Sequence, residues 1–252
     1  MSQPGNVTAA VIVIGNEILS GRTQDQNIQY IAKGLNEAGV RLTEVRVVPD
    51  VEAAIVKAVN EMRAAHDYVF TTGGIGPTHD DITAGSVAKA LALPLERNAR
   101  AVEIMRGMYK PEDLNESRLR MAEMPVGAEL VDNSVSGIPG FRIANVFVMA
   151  GVPSVMRSMF DSVRHGLRGG APVRSRAVAT TLFEGDIAEG LSLLQARYPD
   201  VDIGSYPFYR RGKFGVTVVL RAPDDARLGE AAAELVVFLD RKGGNPSEEA
   251  AD

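Results

Sequence analysis

The chain has 252 residues, no cysteine, no tryptophan and a formal net charge of −5. That length supports a full hydrophobic core in one large domain or two smaller ones, and the missing cysteines remove disulfides, thiolate metal sites and cysteine nucleophiles. His66, His79 and His165 are too scattered for a histidine-rich zinc site, and an acidic balance without a long Lys/Arg run speaks against a nucleic-acid groove. No apolar run approaches a membrane span and the N-terminus has no signal-like segment, so a cytoplasmic protein without membrane contact is expected.

Residues 9–14 form a continuous apolar run of the kind found in central parallel strands. A helix follows with Ile28, Ile31, Ala32, Leu35 and Ala38 on one face, ending near Gly39. A second strand is expected over 41–48, and Asp50 then reads as the N-cap of a helix carrying Val51, Ala54, Ile55, Ala58 and Met62 inward. A third strand over 67–71 runs into Gly73-Gly-Ile-Gly76 and the adjacent carboxylates Asp80 and Asp81. The region 95–135 reads as helical and irregular, with turns at Pro111 and Pro125-Val-Gly127. A strand over about 141–149 leads to Gly151-Val-Pro-Ser154, where Ser154 reads as an N-cap, and then a helix burying Met156, Met159 and Phe160.

Gly169-Gly-Ala-Pro172 resets the pattern and marks a domain boundary. Beyond it come a strand (175–183), a helix with Ile187, Leu191 and Leu194, strands near 201–203 and 214–220, and a closing helix with Leu228, Leu235 and Leu239. Alternating strands and helices imply right-handed βαβ units. The expectation is a three-layer α/β/α, mostly parallel sheet over 1–170, a small α+β subdomain over 171–245, and a disordered tail over 246–252. Phe208-Tyr-Arg-Arg-Gly-Lys-Phe214 reads either as a phosphate- or base-gripping cluster or as a hairpin tip turning at Gly212.

Ligands of open α/β sheets sit beyond the carboxyl ends of the strands. Four loops leave such ends here, carrying Gly15-Asn16-Glu17, Asp50, the glycine loop, and Gly151 to Ser154. Bare N–H groups of a glycine loop at a helix start suit a phosphate. Two carboxylates beside an anion site make sense if magnesium bridges them, since it is held by one or two carboxylates plus substrate phosphates. Each feature also has a plain alternative in turn chemistry, capping or dipole complementation, and His79 reads as an ordinary loop residue. No Gly-x-Ser-x-Gly elbow surrounds any serine, so acyl transfer is not expected.

Thr72-Gly-Gly-Ile-Gly-Pro-Thr-His-Asp-Asp-Ile-Thr83 closely resembles the signature of the molybdopterin-binding superfamily. Gly15-Asn-Glu-Ile-Leu-Ser-Gly21 and Gly151-Val-Pro-Ser154 resemble the N-terminal domain of the CinA family, and Gly204-Ser-Tyr-Pro207 resembles the molybdopterin-binding-like domain of FAD synthases. The resemblance implies the same three-layer fold and a homo-oligomer. It also implies one of three roles: a metal-dependent pyrophosphatase acting on ADP-ribose or FAD, a protein that binds or adenylylates molybdopterin, or a non-catalytic module for a small phosphorylated ligand. Positions matching Asp81 and Asp50 are tied to metal and catalysis in the transferases.

For the pyrophosphatase, Gly73, Gly74 and Gly76 would hold a phosphate, Asp81 with Asp80 or Glu17 would bind magnesium, and Asp80 would be the candidate base. Thr78 and Thr83 would donate to phosphate oxygens, while Gly15, Asn16, Thr72, Pro77, Gly151, Pro153 and Ser154 would complete the ligand contacts. The chain departs from the CinA pattern at Val155, where a glutamate is common, and at Asn16, where an aspartate is usual. The deamidase domain of full-length CinA has no counterpart in these residues, so amide hydrolysis is not expected.

Overall fold

The computed structural model describes residues 7–210 and 212–249. The chain divides into two compact units, Met1–Gly170 and Ala171–Asp252. The first unit runs β1 (Thr8–Ile14), α1 (Asn16–Leu19), α2 (Asn27–Glu37), β2 (Arg41–Val48), α3 (Glu52–Ala65), β3 (Tyr68–Thr72) and α4 (Thr83–Ala90). It continues through β4 (Leu95–Arg97), α5 (Ala99–Met108), α6 (Glu116–Leu119), β5 (Glu123–Pro125), β6 (Glu129–Val131), β7 (Gly140–Ile143), β8 (Val146–Met149) and α7 (Pro153–Arg164).

The main sheet has the order β2-β1-β3-β8-β7-β6. Its first four strands are parallel, while β7 and β6 are antiparallel. Alternation along β1 builds the three layers: Ala10, Ile12 and Ile14 pack towards Ile55 and Met62 of α3, and Ala9, Val11 and Val13 towards Ile31 of α2 and Phe160 of α7. Both faces are covered, which is why β1 reads as an unbroken apolar run rather than an alternating one. No helix among the described residues is long and apolar enough to cross a membrane.

Three expectations change. The single strand expected over 141–149 is a hairpin of β7 and β8, because Ala144 takes φ 51 and Asn145 Nδ2 donates to the carbonyls of Arg63 at 3.0 Å and His66 at 2.9 Å, pinning a two-residue turn. Asp50 is not the N-cap of α3; Val51 holds that position without a side-chain cap, and the Asp50 carboxylate is engaged elsewhere. Ser154 is not a cap either, since Val152 is the N-cap of α7 and Pro153 occupies its first position, where the missing N–H costs nothing.

The second unit comprises β9 (Arg174–Thr180), α8 (Glu184–Arg197), β10 (Asp202–Arg210), β11 (Lys213–Ala222), α9 (Asp225–Arg241) and β12 (Ser247–Glu249). Its strands form an antiparallel sheet, β10-β11-β9-β12, with Val178, Val218, Ile187, Leu228 and Leu235 in the core beneath α8 and α9. Asp224 caps α9 by accepting from Ala226 N at 2.9 Å and Arg227 N at 3.2 Å.

The expected disordered tail is corrected at its start. The Gly244 carbonyl accepts from Thr181 N at 3.0 Å and Thr180 Oγ1 at 2.8 Å, and β12 then pairs with the edge of β9, whose ladder groups would otherwise lack partners. Residues 250–252 lie outside the described residues. The aromatic and basic segment at 208–214 is a hairpin tip turning at Gly212, φ 79. Its Tyr209 and Phe214 rings lie 4.4 Å apart, and Arg210 stacks over Phe208 while pairing with Glu249 at 3.0 Å. Arg211 and the side chain of Lys213 lie outside the described residues.

Candidate functional site

Strand order reverses at β1, with β2 on one side and β3 on the other. The crevice at such a point is where α/β sheets bind ligands. Three loops meet there. The chain after β3 makes the glycine loop, Gly15 follows β1, and Gly151 follows β8. Gly73 N donates to Met149 O at 3.1 Å, and a Cβ on Gly151 would sit 3.3 Å from Gly73 Cα. Gly73 itself takes φ 103, and a Cβ there would collide with the Ile14 carbonyl oxygen. No other residue fits between the ends of β1 and β8 at this point.

The loop is held from below by Thr83, which is fully buried at 0% exposure. Its N–H donates to Gly74 O at 3.0 Å and its hydroxyl to Gly73 O at 3.0 Å. Both loop carbonyls are thereby turned inward. The N–H groups of Gly74, Ile75 and Gly76 donate to no other group among the described residues. Successive unpaired amides in a tight turn form an anion-binding concavity. The uncapped first turn of α7 adds the positive end of its dipole, with Pro153 and Val155 at the rim.

Gly74, Ile75 and Gly76 line a cavity of about 590 Å³, within the usual range for small-molecule sites. Met121, Ile138, Val155 and Met159 give it an apolar wall, and Glu17 and Asp81 are its only ionisable groups among the described residues. The Asp81 carboxylate sits beside Gly76, its Oδ2 being 2.6 Å from where a Cβ would lie. That same oxygen accepts from Thr78 N at 2.8 Å and Thr78 Oγ1 at 2.5 Å, leaving Oδ1 without a protein donor among the described residues.

Of the residues expected at the site, Glu17, Gly73, Gly74, Gly76, Asp81, Gly151 and Pro153 line this cavity. The others do not. The Thr78 hydroxyl is spent on Asp81 and the Thr83 hydroxyl on Gly73, so neither donates to a ligand. Thr72 is 1% exposed, beneath the loop. Pro77 gives its carbonyl to Arg120 Nη2 at 3.0 Å. Gly15 N is bonded to Val48 O at 3.2 Å, and Asn16 N to Asp50 Oδ2 at 2.8 Å. Asp50 ties the first loop to the second and lies outside the cavity lining. Ser154 is exposed and outside the cavity lining.

Asp80 is also outside. Its carboxylate is 59% exposed, 3.9 Å from His79 Nδ1. Its carboxyl is held below the usual carboxylate range by the neighbouring Thr78 side chain and by its own backbone N–H. A hydroxyl has one proton, however, and the 2.5 Å contact assigns it to Asp81. An exposed carboxylate held ionised outside the cavity is poorly placed as a base. No group of three His, Asp or Glu among the described residues is close enough to cage a metal ion, so the expected Asp81, Asp80 and Glu17 set does not assemble.

Two asparagines are additional to the residues expected from sequence. Asn27, 4% exposed at the start of α2, donates Nδ2 to Gly151 O at 2.8 Å and so fixes the loop that presses on Gly73. Asn133 accepts from Val135 N and Ser136 N, at 3.0 and 3.2 Å, and donates to Ile138 O at 3.0 Å, shaping the segment that brings Ser136 and Ile138 to the cavity. The only sequence signal for Asn27 is its place two residues after Asp25, which accepts from Asn27 N at 3.0 Å and Ile28 N at 2.8 Å. Asn27→Ala is expected to lower stability by about 1–3 kcal/mol, the usual loss for a severed buried hydrogen bond, read as an earlier urea midpoint at unchanged slope.

Residues 10–168 match the family model described as a probable molybdopterin binding domain, and residues 172–246 the one described as the FAD synthase middle domain. A probable FAD synthase from Caenorhabditis elegans is 33% identical over 94% of this chain and 50% of its own length. A CinA-like protein from Syntrophus aciditrophicus is 32% identical over 92% of this chain and 59% of its own. The chain thus spans about half to three fifths of the length of these relatives. The crystal structure of a CinA protein of unknown function from Thermoplasma acidophilum superposes with a TM-score of 0.61 and 31% identity, over 64% of this chain and 98% of that one. With a glycine loop at the switch point of a three-layer sheet and a family model covering the greater part of the chain, this protein belongs to the probable molybdopterin-binding domain family.

Proposed function

We propose that the first unit binds a phosphorylated nucleotide-like or pterin ligand and, with a divalent cation, hydrolyses the pyrophosphate linkage of an ADP-ribose- or FAD-like compound. The observation that carries this reading is the row of unpaired amides at Gly74, Ile75 and Gly76, beside Asp81, on a 590 Å³ cavity with an apolar wall. The amides receive a phosphoryl oxygen, and the wall receives a planar ring. The reaction adds water across the anhydride: its oxygen bonds to one phosphorus, the bridging P–O bond breaks, and the two phosphate products share the released protons.

Magnesium suits this arrangement as a shared ion rather than a caged one. Asp81 offers one free carboxylate oxygen, and the rest of the shell comes from ligand phosphates and water. When bound, such an ion polarises a phosphoryl oxygen and lowers the pKa of an attacking water. Glu17 also lines the cavity, with its carboxylate folded over Gly15.

A second reading, a non-catalytic module that holds molybdopterin or another phosphorylated ligand, is favoured by the scarcity of ionisable groups: beyond Glu17 and Asp81 the cavity has none among the described residues, and Val155 is apolar. Incubation with ADP-ribose, FAD or molybdopterin and magnesium, manganese or cobalt separates the readings. Release of phosphatase-sensitive mononucleotide supports hydrolysis. Tight binding without turnover supports the module. Absence of both turnover and binding rejects the site.

A further inference from the structure

The glycine loop borders two spaces. Gly74, Ile75, Gly76 and Asp81, which line the 590 Å³ cavity, also line a second cleft of about 220 Å³. The charges around that cleft are unequal in availability. Glu52 is paired with Lys89, and Glu123 with Arg97 at 3.3 Å. Arg120 is the one cation lining the cleft among the described residues, and no carboxylate among them lies within ion-pairing distance of it. Its Nη2 donates to Pro77 O at 3.0 Å, immediately after the last unpaired amide of the loop. One donor of the guanidinium fork thus anchors it to the loop, and the remaining donors are left for a ligand.

Resting on the phosphoryl-binding reading of the loop, we infer that Arg120 binds the second phosphate of the ligand on the cleft side, so that the site reads a diphosphate rather than a monophosphate. The first phosphate sits on the amides of Gly74 to Gly76, next to Asp81. A second phosphate, one bridging oxygen away, passes over the loop towards the guanidinium. An arginine fork is the group best matched to phosphate oxygens in a planar, two-point contact. The larger cavity holds the ring-bearing part of the ligand, and the smaller cleft receives the second phosphate. The amides alone do not distinguish one phosphate from two, and Arg120 adds a contact that only the second phosphate can make.

Calorimetric titration of the full chain with AMP and with ADP, in magnesium, tests the assignment. The wild-type protein is expected to prefer ADP by roughly ten-fold or more, the scale of a single charge-assisted contact. Arg120→Gln keeps an amide donor for the Pro77 carbonyl but removes the charge. It is expected to reduce the ADP preference by about ten-fold while leaving AMP affinity and the unfolding midpoint unchanged; Arg120→Lys is expected to restore the preference only in part, because a point charge lacks the fork. An equal loss for both nucleotides, or a preference undiminished in Arg120→Gln, overturns the role of Arg120 and leaves the loop reading intact. Failure of the wild-type protein to bind either nucleotide overturns both.

Discussion

Asp81→Asn is expected to lower kcat/KM for pyrophosphate hydrolysis by about 100-fold or more, equivalent to roughly 2.7 kcal/mol of transition-state stabilisation. Geometry singles this residue out. Asp81 sets one carboxylate oxygen against Gly76 and keeps the other free of protein donors among the described residues. Asparagine retains an oxygen for the Thr78 N–H and hydroxyl, so the turn from Gly76 to Asp81 keeps its shape while the charge that attracts a cation disappears. Ligand binding through the amides therefore survives, and the deficit falls on turnover and on metal-dependent affinity. Asp80→Asn is the natural control. Its carboxylate lies outside both spaces, and its substitution is expected to change the rate by less than about three-fold, a difference under 1 kcal/mol. Steady-state kinetics over a magnesium or manganese series distinguishes the two variants. Equal activity of Asp81→Asn and the wild-type protein contradicts the assignment.

Gly73→Ala is expected to cause the largest loss of stability. Two costs add at this residue. The backbone sits at φ 103, outside the region an alanine adopts without strain, and the new methyl would meet the Ile14 carbonyl oxygen, which belongs to the central strand and has no freedom to retreat. The resulting destabilisation is about 3–5 kcal/mol, placing the change among the severe core substitutions. For a unit of this size it corresponds to a fall in Tm of roughly 10 °C, read by far-UV circular dichroism. Gly107→Ala makes the contrast. Gly107 lies in α5, where an added Cβ meets nothing within 4 Å, so alanine is expected to stabilise by about 0.5–1 kcal/mol through helix propensity alone. Similar effects at both positions would show that the glycine loop is not packed as described.

Much of the first unit is legible in the sequence because its signals are local and redundant. Residues 9–14 and 41–48 declare strands through apolar patterning, and the spacing of Ile31, Leu35, Met156 and Phe160 declares the helices that cover them. The glycine loop is legible for the same reason: a strand, three glycines and a helix start are contiguous. The features that the sequence conceals depend on partners far along the chain. Asp50 reads as a cap by position, yet its oxygen is taken by Asn16 N, 34 residues earlier, because β1 and β2 end side by side. Thr83 reads as a phosphate donor, yet it is buried against the carbonyl of Gly73. Asn27 meets Gly151 across 124 residues, and Arg120 reaches Pro77 across 43; neither has a motif to announce it. The hairpin at Ala144 is hidden because alanine is an unusual residue at positive φ, and Asn145 beside it is a single turn residue inside a mostly apolar segment. The strand at Ser247–Glu249 is hidden because polar composition suggests a tail, whereas a free sheet edge accepts any backbone able to pair.

The most direct test of the loop as a phosphate cradle is amide-resolved NMR titration with ADP in the presence of magnesium. The N–H resonances of Gly74, Ile75 and Gly76 are expected to shift first and furthest and to follow one saturating curve, and Asp81→Asn is expected to remove the magnesium dependence without removing the shifts. Saturable nucleotide binding that leaves these three resonances in place, with the large shifts elsewhere in the molecule, would contradict the cradle.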